Sequence, residues 1–506
     1  MGKNLLILGF LTLFSVINAK PLQVWIMPNG ASPKEKLETE LKTFTKQTGI
    51  ETEVVVLDWG EAWSRISTAL ETGKNLPAVL QLGTTWVPYF ASKGHLLSLN
   101  KIELLKTKPN HFAKESFKST HIDKDSTVYS LPWFVDVRVL LGNQRVLKEC
   151  GITEKDIQTY NGFLNALKKI KDKNLMLDDG TPILAYAFPG KSDWNIPHNF
   201  APWIWSEGGD FLKPNKDSYR SGLLDEKTLT GIAKYLNFVL DSLVDRSNLN
   251  LNTAQITQKF NNGEVAFILN TAEIIMQTRF ASSDGGLQTA KIGNDGVLAF
   301  PVPEGSAGAV SFVGGSNLAI PAKFADKEKA IKILKFLTED KNLDSYTKHI
   351  GFLPATQSLL KFWAEDSSYK QLVLSLETGK SYTNIPEWGE IETILTSTFS
   401  EIWALLEFEG LYSDAKIYEI LKKQDININR VLNFKDGLSN LSYPEFQKIW
   451  NKALENSKSQ NTQKLSEKKN ATTNATERTP FNKFTIGLFI FMLIAGFAFA
   501  YSRKKK

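Results

Sequence analysis

Strand-like and helix-like segments alternate in the first part of this chain, and that alternation limits the folds it can adopt. Runs rich in Val, Ile and Leu at residues 22–27, 53–57 and 78–82 predict strands, with helically spaced apolar residues over 34–47 and 62–71 between them. A β-α-β-α-β order implies a parallel sheet with helices on its faces and a ligand site at the carboxyl ends of its strands. We therefore predict an α/β fold for the globular part, with further strands at 182–188, 265–269, 297–300 and 317–320 and a helix over 327–337.

The two ends of the chain predict export and a membrane tether. Lys3, the apolar run 5–16 and Ala19 have the order of a signal peptide over residues 1–19. Residues 484–501 form an uncharged apolar stretch of the length of a transmembrane helix, and the basic tail 502–506 follows it. The positive-inside rule then puts the tail in the cytosol and the rest of the chain on the outer face. A buried core helix is disfavoured because the stretch has no polar face.

The segment 455–483 is rich in Ser, Thr, Asn and Lys and predicts a flexible polar linker. The net charge of +6 comes from the ends of the chain, so the globular part lacks the basic surface of a nucleic-acid-binding protein. Cys150 is the single cysteine, which excludes an intrachain disulfide, and it lies too far from the signal cleavage site to carry a lipid anchor. With five His and one Cys we expect no metal site, and we expect no cofactor.

Six short motifs follow one another along the chain. They are PAVLQ at 77–81 with Trp86 and GHLLSL at 94–99, YSLPWFVD at 129–136, FNNGEVAF at 260–267, GGSNLAIP at 314–321 and GFLP at 351–354. Their order and spacing over residues 20–432 resemble those of the extracellular solute-binding proteins of bacterial ABC sugar importers, the maltose-binding-protein-like family.

That resemblance implies a two-lobe, periplasmic-binding-protein-like (type II) α/β fold. One lobe would comprise residues 20–135 and 300–350, and the other 136–299 and 351–454. The resemblance also implies a ligand cleft between the lobes that closes by hinge motion about 131–138 and 300–316. The expected function is that of a monomeric binding protein that delivers a sugar or other small polar solute to ABC permease subunits.

Six candidate ligand-binding residues lie at the ends of the first three predicted strands: Trp25, Asn29, Asp58, Trp59, Thr85 and Trp86. Sugars present apolar C–H faces and a rim of hydroxyl groups, so a sugar site needs flat aromatic rings beside amides and carboxylates. The carboxyl ends of parallel strands meet at one edge of a sheet, which predicts that these residues converge. For each Trp, a packing role in a lobe core is the other interpretation.

The two predicted crossings between the lobes supply four more candidates. Asp136 and Arg138 alternate on one face of a strand. The resemblance implies an acidic residue facing the ligand, and Asp136 holds that position. Arg138 either lines the cleft or pairs with Asp136. At the second crossing, Gly315 and Ser316 offer backbone amides and a hydroxyl group.

Trp194, His198, Asn270 and Trp388 are the candidates from the second lobe. The resemblance implies a stacking aromatic residue at Trp194 and a late stacking tryptophan at Trp388, whereas Trp205 is expected in the core. Asn270 follows a strand at a position where the family carries Gly and an aromatic residue. This departure removes an expected stacking residue, so the best-known ligand of the family is not assumed for this chain.

Two other functions would place different demands on the same sequence. A carbohydrate-active enzyme needs two carboxylates that face each other across a cleft, but the Asp-rich segments 123–125 and 178–179 have the composition of a solvated loop and a turn. No Ser-His-Asp, HExxH or P-loop motif is present, so we expect no enzyme. A ligand sensor that docks on a membrane receptor would use the same cleft and closure, and this alternative stays open.

Overall fold

Two β-sheets divide the globular part into two lobes. The computed structural model describes residues 20–102, 110–191, 193–284, 286–408, 410–434 and 440–458. The first-lobe sheet has the order β12-β4-β11-β3-β1-β2. Its strands are β1 Leu22–Ile26, β2 Thr52–Val56, β3 Val79–Gly83, β4 Ser130–Val137, β11 Val313–Ala319 and β12 Leu353–Pro354. β1 runs parallel to β2 and β3, as predicted, whereas β11 and β12 pair antiparallel with their neighbours.

The second-lobe sheet has four strands in the order β10-β5-β9-β6. They are β5 Val139–Asn143, β6 Leu184–Ala187, β9 Val265–Asn270 and β10 Val297–Phe300. β6 runs parallel to β9, and the other pairs are antiparallel. A separate hairpin joins β7 Leu212–Asn215 to β8 Ser218–Ser221. Both main sheets are therefore mixed rather than parallel.

Amphipathic helices cover the sheets. The helix between β1 and β2 illustrates the local cause: it buries Leu37, Leu41 and Phe44 along one face and ends at Gly49, whose φ of 69° favours glycine. The helices of the first lobe are Pro33–Thr48, Trp59–Thr72, Val87–Ser92, Lys114–Lys118, Lys327–Thr338, Asp340–Ile350, Gln357–Trp363 and Ser367–Glu377. Those that follow second-lobe strands or crossings are Gln144–Glu149, Glu154–Ile157, Tyr160–Lys173, Ile196–Ser206, Glu226–Leu240, Thr253–Asn261, Glu273–Gln277, Lys291–Asp295, Trp388–Glu407, Asp414–Val431 and Tyr443–Lys458, with 3-10 turns at Arg246–Asn250 and Ser282–Asp284.

The first crossing of the chain between the lobes is short. Arg138 alone separates β4 from β5, and its backbone N donates a hydrogen bond to Phe312 O on the returning segment at 3.0 Å. Lys380 lies beside the same segment, because its carbonyl accepts a hydrogen bond from Val313 N. The sequence analysis placed 351–454 in the second lobe. In the structure, however, β12 pairs with β4 of the first-lobe sheet, so the chain returns to the second lobe only beyond this strand.

One buried apolar cluster, here called the shared core, joins the two sheets. It contains Val135 and Val137 of β4 together with Val265 and Ile268 of β9. The packing of the two sheets is therefore continuous rather than confined to each lobe.

A second buried cluster fills the rest of the second lobe and reaches the end of the described chain. It includes Trp403 and Trp450, and Trp450 Nε1 donates a hydrogen bond to Tyr412 Oη at 2.9 Å. The helix Tyr443–Lys458 thus completes this core and continues into the start of the predicted linker 455–483.

The predicted signal peptide 1–19, the apolar stretch 484–501 and the basic tail 502–506 lie outside the described residues. Among the helices of the described ranges, none combines the length and apolar character needed to cross a membrane.

Candidate functional site

A buried amide network fixes the carboxyl edge of the first-lobe sheet. Gln81 of β3 accepts hydrogen bonds at Oε1 from Met27 N (2.9 Å) and Asn29 Nδ2 (3.1 Å), and its Nε2 donates to Ser316 Oγ (2.8 Å). Asn29 and Ser316 are both buried. Their side chains therefore tie the ends of β1, β3 and β11 together. The sequence analysis missed Gln81, although a glutamine inside an otherwise apolar strand is a signal for such a buried contact.

Aromatic rings form a continuous group beside this edge, here called the aromatic wall: Trp59, Trp63, Trp86 and Tyr89. Trp86 lies edge-on to Trp59 and Trp63, with ring centroids 5.7 and 5.4 Å apart, and Trp63 lies 5.1 Å from Tyr89. All four side chains are only partly buried. Trp59 Nε1 donates to Pro28 O at 3.2 Å, which anchors the wall to the end of β1. Trp63 was missed, although it lies four residues after Trp59 on the same helix face.

The remaining first-lobe candidates have different surroundings. Asp58 is exposed and caps the helix Trp59–Thr72, since its Oδ1 accepts a hydrogen bond from Gly60 N at 2.8 Å. Thr85 is partly buried in the turn that carries Trp86. Trp25 lies near the end of β1 but is 4% exposed, so it belongs to the lobe core and not to a ligand site.

The second crossing lies against the turn that follows β3. Thr84 N donates a hydrogen bond to Gly315 O at 3.2 Å. Gly315 has φ 125°, and a Cβ there would lie 2.3 Å from Phe134 O. Only glycine combines that backbone conformation with such a close approach. Glycine is therefore required at position 315 because strands β11 and β4 come so close together there.

Arg138 binds the second lobe instead of pairing with Asp136. Its Nη1 donates to Asn199 Oδ1 at 2.9 Å and its Nη2 donates to Asn195 Oδ1 at 2.6 Å. Asn195 N in turn donates to Asp193 Oδ1 at 2.7 Å. Arg138 is 3% exposed, and no ion pair within 4 Å joins it to Asp136 among the residues that the structure describes. The guanidinium group therefore holds the segment that carries Trp194.

His198 lies at the centre of a buried aromatic stack at the lobe junction. Its ring is parallel to that of Phe312 with centroids 4.4 Å apart, and its Nδ1 lies 2.7 Å from Tyr382 Oη. Burial, reinforced by the charge of Arg138, lowers the pKa of His198, so the ring is neutral near pH 7. Glu392 Oε1 lies 3.8 Å from His198 Nε2, and burial raises the pKa of Glu392 to about 7.

Three second-lobe candidates differ sharply in exposure. Trp194 is 64% exposed and lies edge-on to His198 at 5.6 Å. Trp388 is 2% exposed and stacks on Tyr382 at 4.2 Å, inside the second-lobe core. Asn270 is buried, and its Nδ2 donates to Thr257 Oγ1 at 3.0 Å while its Oδ1 accepts from Thr271 N. Trp205, expected in the core, is 3% exposed.

Asp136 is the second-to-last residue of β4, and a second carboxylate, Glu273, lies nearby. Oδ1 of Asp136 is shielded from solvent and has no hydrogen-bond partner in the described part of the chain. Burial raises the pKa of Asp136 although the charge of Arg138 opposes that rise. Burial and the Asp136 charge raise the pKa of Glu273 to about 7. The sequence analysis missed Glu273, because only the tertiary fold brings it to the end of β4.

The structure thus groups the candidates into two neighbouring sets. The aromatic wall and the amide network border the first-lobe edge, while Asp136, Arg138 and His198 lie at the lobe junction. Polar groups, carboxylates and partly exposed rings together suit a ligand with hydroxyl groups and apolar faces. No cluster of three or more metal-ligating side chains occurs in the described ranges.

Comparison with known proteins also indicates a solute-binding protein. A family model described as bacterial extracellular solute-binding protein matches residues 41–371. The diacetylchitobiose-binding protein DasA of Streptomyces coelicolor is 27% identical over 371 residues, which cover 73% of this chain and 81% of that protein. A putative binding protein of Brucella abortus is 23% identical over 82% of this chain and 97% of its own length.

Solved structures share the fold at lower sequence identity. The GacH receptor of Streptomyces glaucescens superimposes with a TM-score of 0.66 at 18% identity, covering 82% of this chain and 98% of that chain. The sugar-binding protein MalE of Xanthomonas citri superimposes with a TM-score of 0.66 at 20% identity, covering 82% and 97%. The fold is therefore the two-lobe α/β fold of maltose-binding-protein-like proteins.

Proposed function

This chain belongs to the bacterial extracellular solute-binding protein family, and we propose that it is the substrate-binding component of an ABC importer that captures a sugar or oligosaccharide. The aromatic wall carries the proposal. Four partly buried rings side by side at the edge of the first-lobe sheet offer the apolar surface that the C–H faces of sugar rings need. The relatives named above are binding proteins, which favours capture over catalysis.

The candidate residues divide into ligand contacts and supports. We assign Trp59, Trp86, Asp136 and Trp194 to the ligand, because each keeps an exposed face or an unpartnered polar atom near the lobe junction or the first-lobe edge. The buried candidates act through others: Asn29 and Ser316 fix strand ends, Arg138 fixes the Trp194 segment, and Trp25, Asn270 and Trp388 support the lobes.

A ligand screen tests this function directly. Binding to the native state alone raises the melting temperature, by an amount set by ln(1 + [L]/Kd). Neutral mono- and oligosaccharides, amino sugars, polyols and phosphosugars should be compared by thermal shift and the best ones titrated calorimetrically. A rise confined to carbohydrates supports the proposal. No rise with any carbohydrate, together with a rise for another solute class, contradicts it.

Hinge closure is the proposed means of capture. The expected pivots are Arg138, the single residue between β4 and β5, and the return segment 301–312 between β10 and β11, because the chain passes from one sheet to the other there. Small-angle scattering should give a smaller radius of gyration at saturating ligand than without ligand. An unchanged radius at saturation counts against closure.

We also propose that the chain is exported through residues 1–19 and tethered to the outer face of the membrane by residues 484–501, with the linker before them. Removal of residues 484–506 should release an exported, soluble protein, whereas removal of the basic tail 502–506 alone should leave the tether in place. A truncated protein that still sediments with the membrane would show that the anchor lies elsewhere.

A further inference from the structure

Two carboxylates meet at the lobe junction without a cation. Asp136 stands on β4 opposite Gly314 of β11. A Cβ on Gly314 would lie 3.9 Å from Asp136 Oδ2 and 2.9 Å from a ring carbon of Phe312, so the Phe312 ring packs over this glycine. Oδ1 of Asp136 is enclosed by protein and accepts no hydrogen bond. A buried carboxylate oxygen without any donor is costly, so this position is expected to be completed by a bound group.

Glu273 comes to the same place from the second lobe. A Cβ on Gly351 would lie 3.2 Å from Glu273 Cα and 3.4 Å from its Cγ. Gly351 precedes β12, which pairs antiparallel with β4 so that Leu353 faces Val135. Because β12 runs antiparallel to β4, the residues just before β12 lie beside the end of β4 that contains Asp136. Glu273 Oε1 accepts a hydrogen bond from Gln277 Nε2 at 2.7 Å, which leaves Oε2 for another partner.

Arg138, the cation whose charge acts on Asp136, is committed elsewhere. Both terminal nitrogens of Arg138 donate to the amide oxygens of Asn195 and Asn199. Within the described ranges, neither Asp136 nor Glu273 forms an ion pair within 4 Å. Other enclosed carboxylates of this chain have a cation or hydrogen-bond donors: Glu207 pairs with Lys234, and Asp193 accepts hydrogen bonds from Asn195 N and Thr253 N.

Asp295 shows the same contrast. It is held by Lys291 and by Arg145, and its carboxylate is 3% exposed. Buried charges are normally paired in this way. Within the described ranges, Oδ1 of Asp136 has neither a cation nor a hydrogen-bond donor, and burial together with the Asp136 charge raises the pKa of Glu273.

We propose that the ligand supplies the missing cation, and that it is a saccharide with a free, protonated amino group seated between Asp136 and Glu273. This inference rests on the proposed function and narrows its substrate class. An ammonium group brings one positive charge and several N–H donors, which together satisfy both the unpartnered Oδ1 of Asp136 and the free oxygen of Glu273. A neutral sugar would supply hydrogen-bond donors but no positive charge to offset the two carboxyl groups.

Three β-linked disaccharides that differ only at the second carbon of each ring provide the test. They are the glucosamine dimer with free amines, its diacetylated form and cellobiose. Calorimetric titration of the purified mature protein at a pH of about 7, where Glu273 is partly ionised and an amine is still protonated, should give at least tenfold tighter binding of the free-amine dimer than of either neutral one.

Variants assign that preference to the carboxylates. Glu273→Gln and, independently, Asp136→Asn should each reduce the ratio of affinities between the free-amine dimer and cellobiose to less than threefold. Glu264→Gln serves as the matched control, since Glu264 pairs with Lys259 at 3.1 Å before β9 and should keep the full ratio. Melting temperatures establish that each variant is folded.

The outcomes separate the two proposals. Equal or tighter binding of a neutral disaccharide, or of neutral saccharides in the wider screen, overturns the amino-sugar inference while the proposed function stands. A tenfold preference that persists in both carboxylate variants also overturns it, because the amine would then be bound elsewhere. Failure of every saccharide to bind contradicts the proposed function, and the inference falls with it.

Discussion

Replacement of Arg138 by Met tests whether this residue is a structural clamp or a ligand contact. The change keeps most of the side-chain volume and removes the guanidinium group. Two hydrogen bonds from a charged donor, at 2.6 and 2.9 Å, are lost, each worth about 1.5–3 kcal/mol. Relief from the desolvation of a buried charge offsets part of this loss. We expect the free energy of unfolding to fall by about 2–4 kcal/mol.

Urea denaturation followed by circular dichroism measures that change. Arg279→Met is the matched control, because Arg279 pairs with Asp366 at the surface, where both side chains are more than 40% exposed. Its loss should cost below about 1 kcal/mol. If Arg138→Met and Arg279→Met are equally stable while only Arg138→Met loses ligand affinity, the clamp interpretation is refuted and Arg138 binds the ligand directly.

Three further outcomes follow from the same structure. Trp205→Ala should lower the free energy of unfolding by about 3–5 kcal/mol because it empties a buried site. Trp194→Ala should change that free energy by less than about 0.5 kcal/mol and weaken ligand binding. Calorimetry and melting of both variants separate the two roles, and the reverse pattern would contradict them. Glu273 has a folded-state pKa of about 7, above its unfolded value, so its contribution to stability is present at low pH and is lost as pH rises from about 4.5 through 7. Glu273→Gln should flatten this part of the stability–pH curve. An unchanged slope would show that the carboxylate titrates normally. Gly315→Ala should lower the melting temperature strongly, because Gly315 has φ 125° and a Cβ there would lie 2.3 Å from Phe134 O. Gly389→Ala should not lower it, because the space around Gly389 is open. Similar melting of the two variants would contradict the close-contact argument.

Local sequence signals predicted the elements of the fold well. The strands at 22–26, 52–56 and 79–83 and the helices between them lie within three residues of the predicted bounds, because apolar periodicity depends on neighbours along the chain. The mixed direction of the first-lobe sheet was not predicted from periodicity. β4 leads from this sheet into the second lobe and β11 returns from it, so strand direction there depends on long-range topology.

The site was harder to predict for the same reason. The sequence does not show whether a tryptophan ring faces solvent or the core. Trp194 and Trp388 were therefore both predicted to bind the ligand, although they are 64% and 2% exposed. Trp63 was recoverable from its spacing to Trp59 on one helix. Glu273 was not, since its proximity to Asp136 arises from the pairing of β12 with β4, a strand of two residues that leaves no periodic signal.

The shared core has a consequence for the cooperativity of unfolding. Val135 and Val137 belong to the same buried cluster as Val265 and Ile268, so neither sheet can lose its packing without exposing apolar surface of the other. Two lobes with separate cores would melt as two independent units with two heat-absorption peaks. Here the lobes should melt together, in a single calorimetric transition whose van't Hoff and calorimetric enthalpies agree, even if the proposed closure moves one lobe relative to the other.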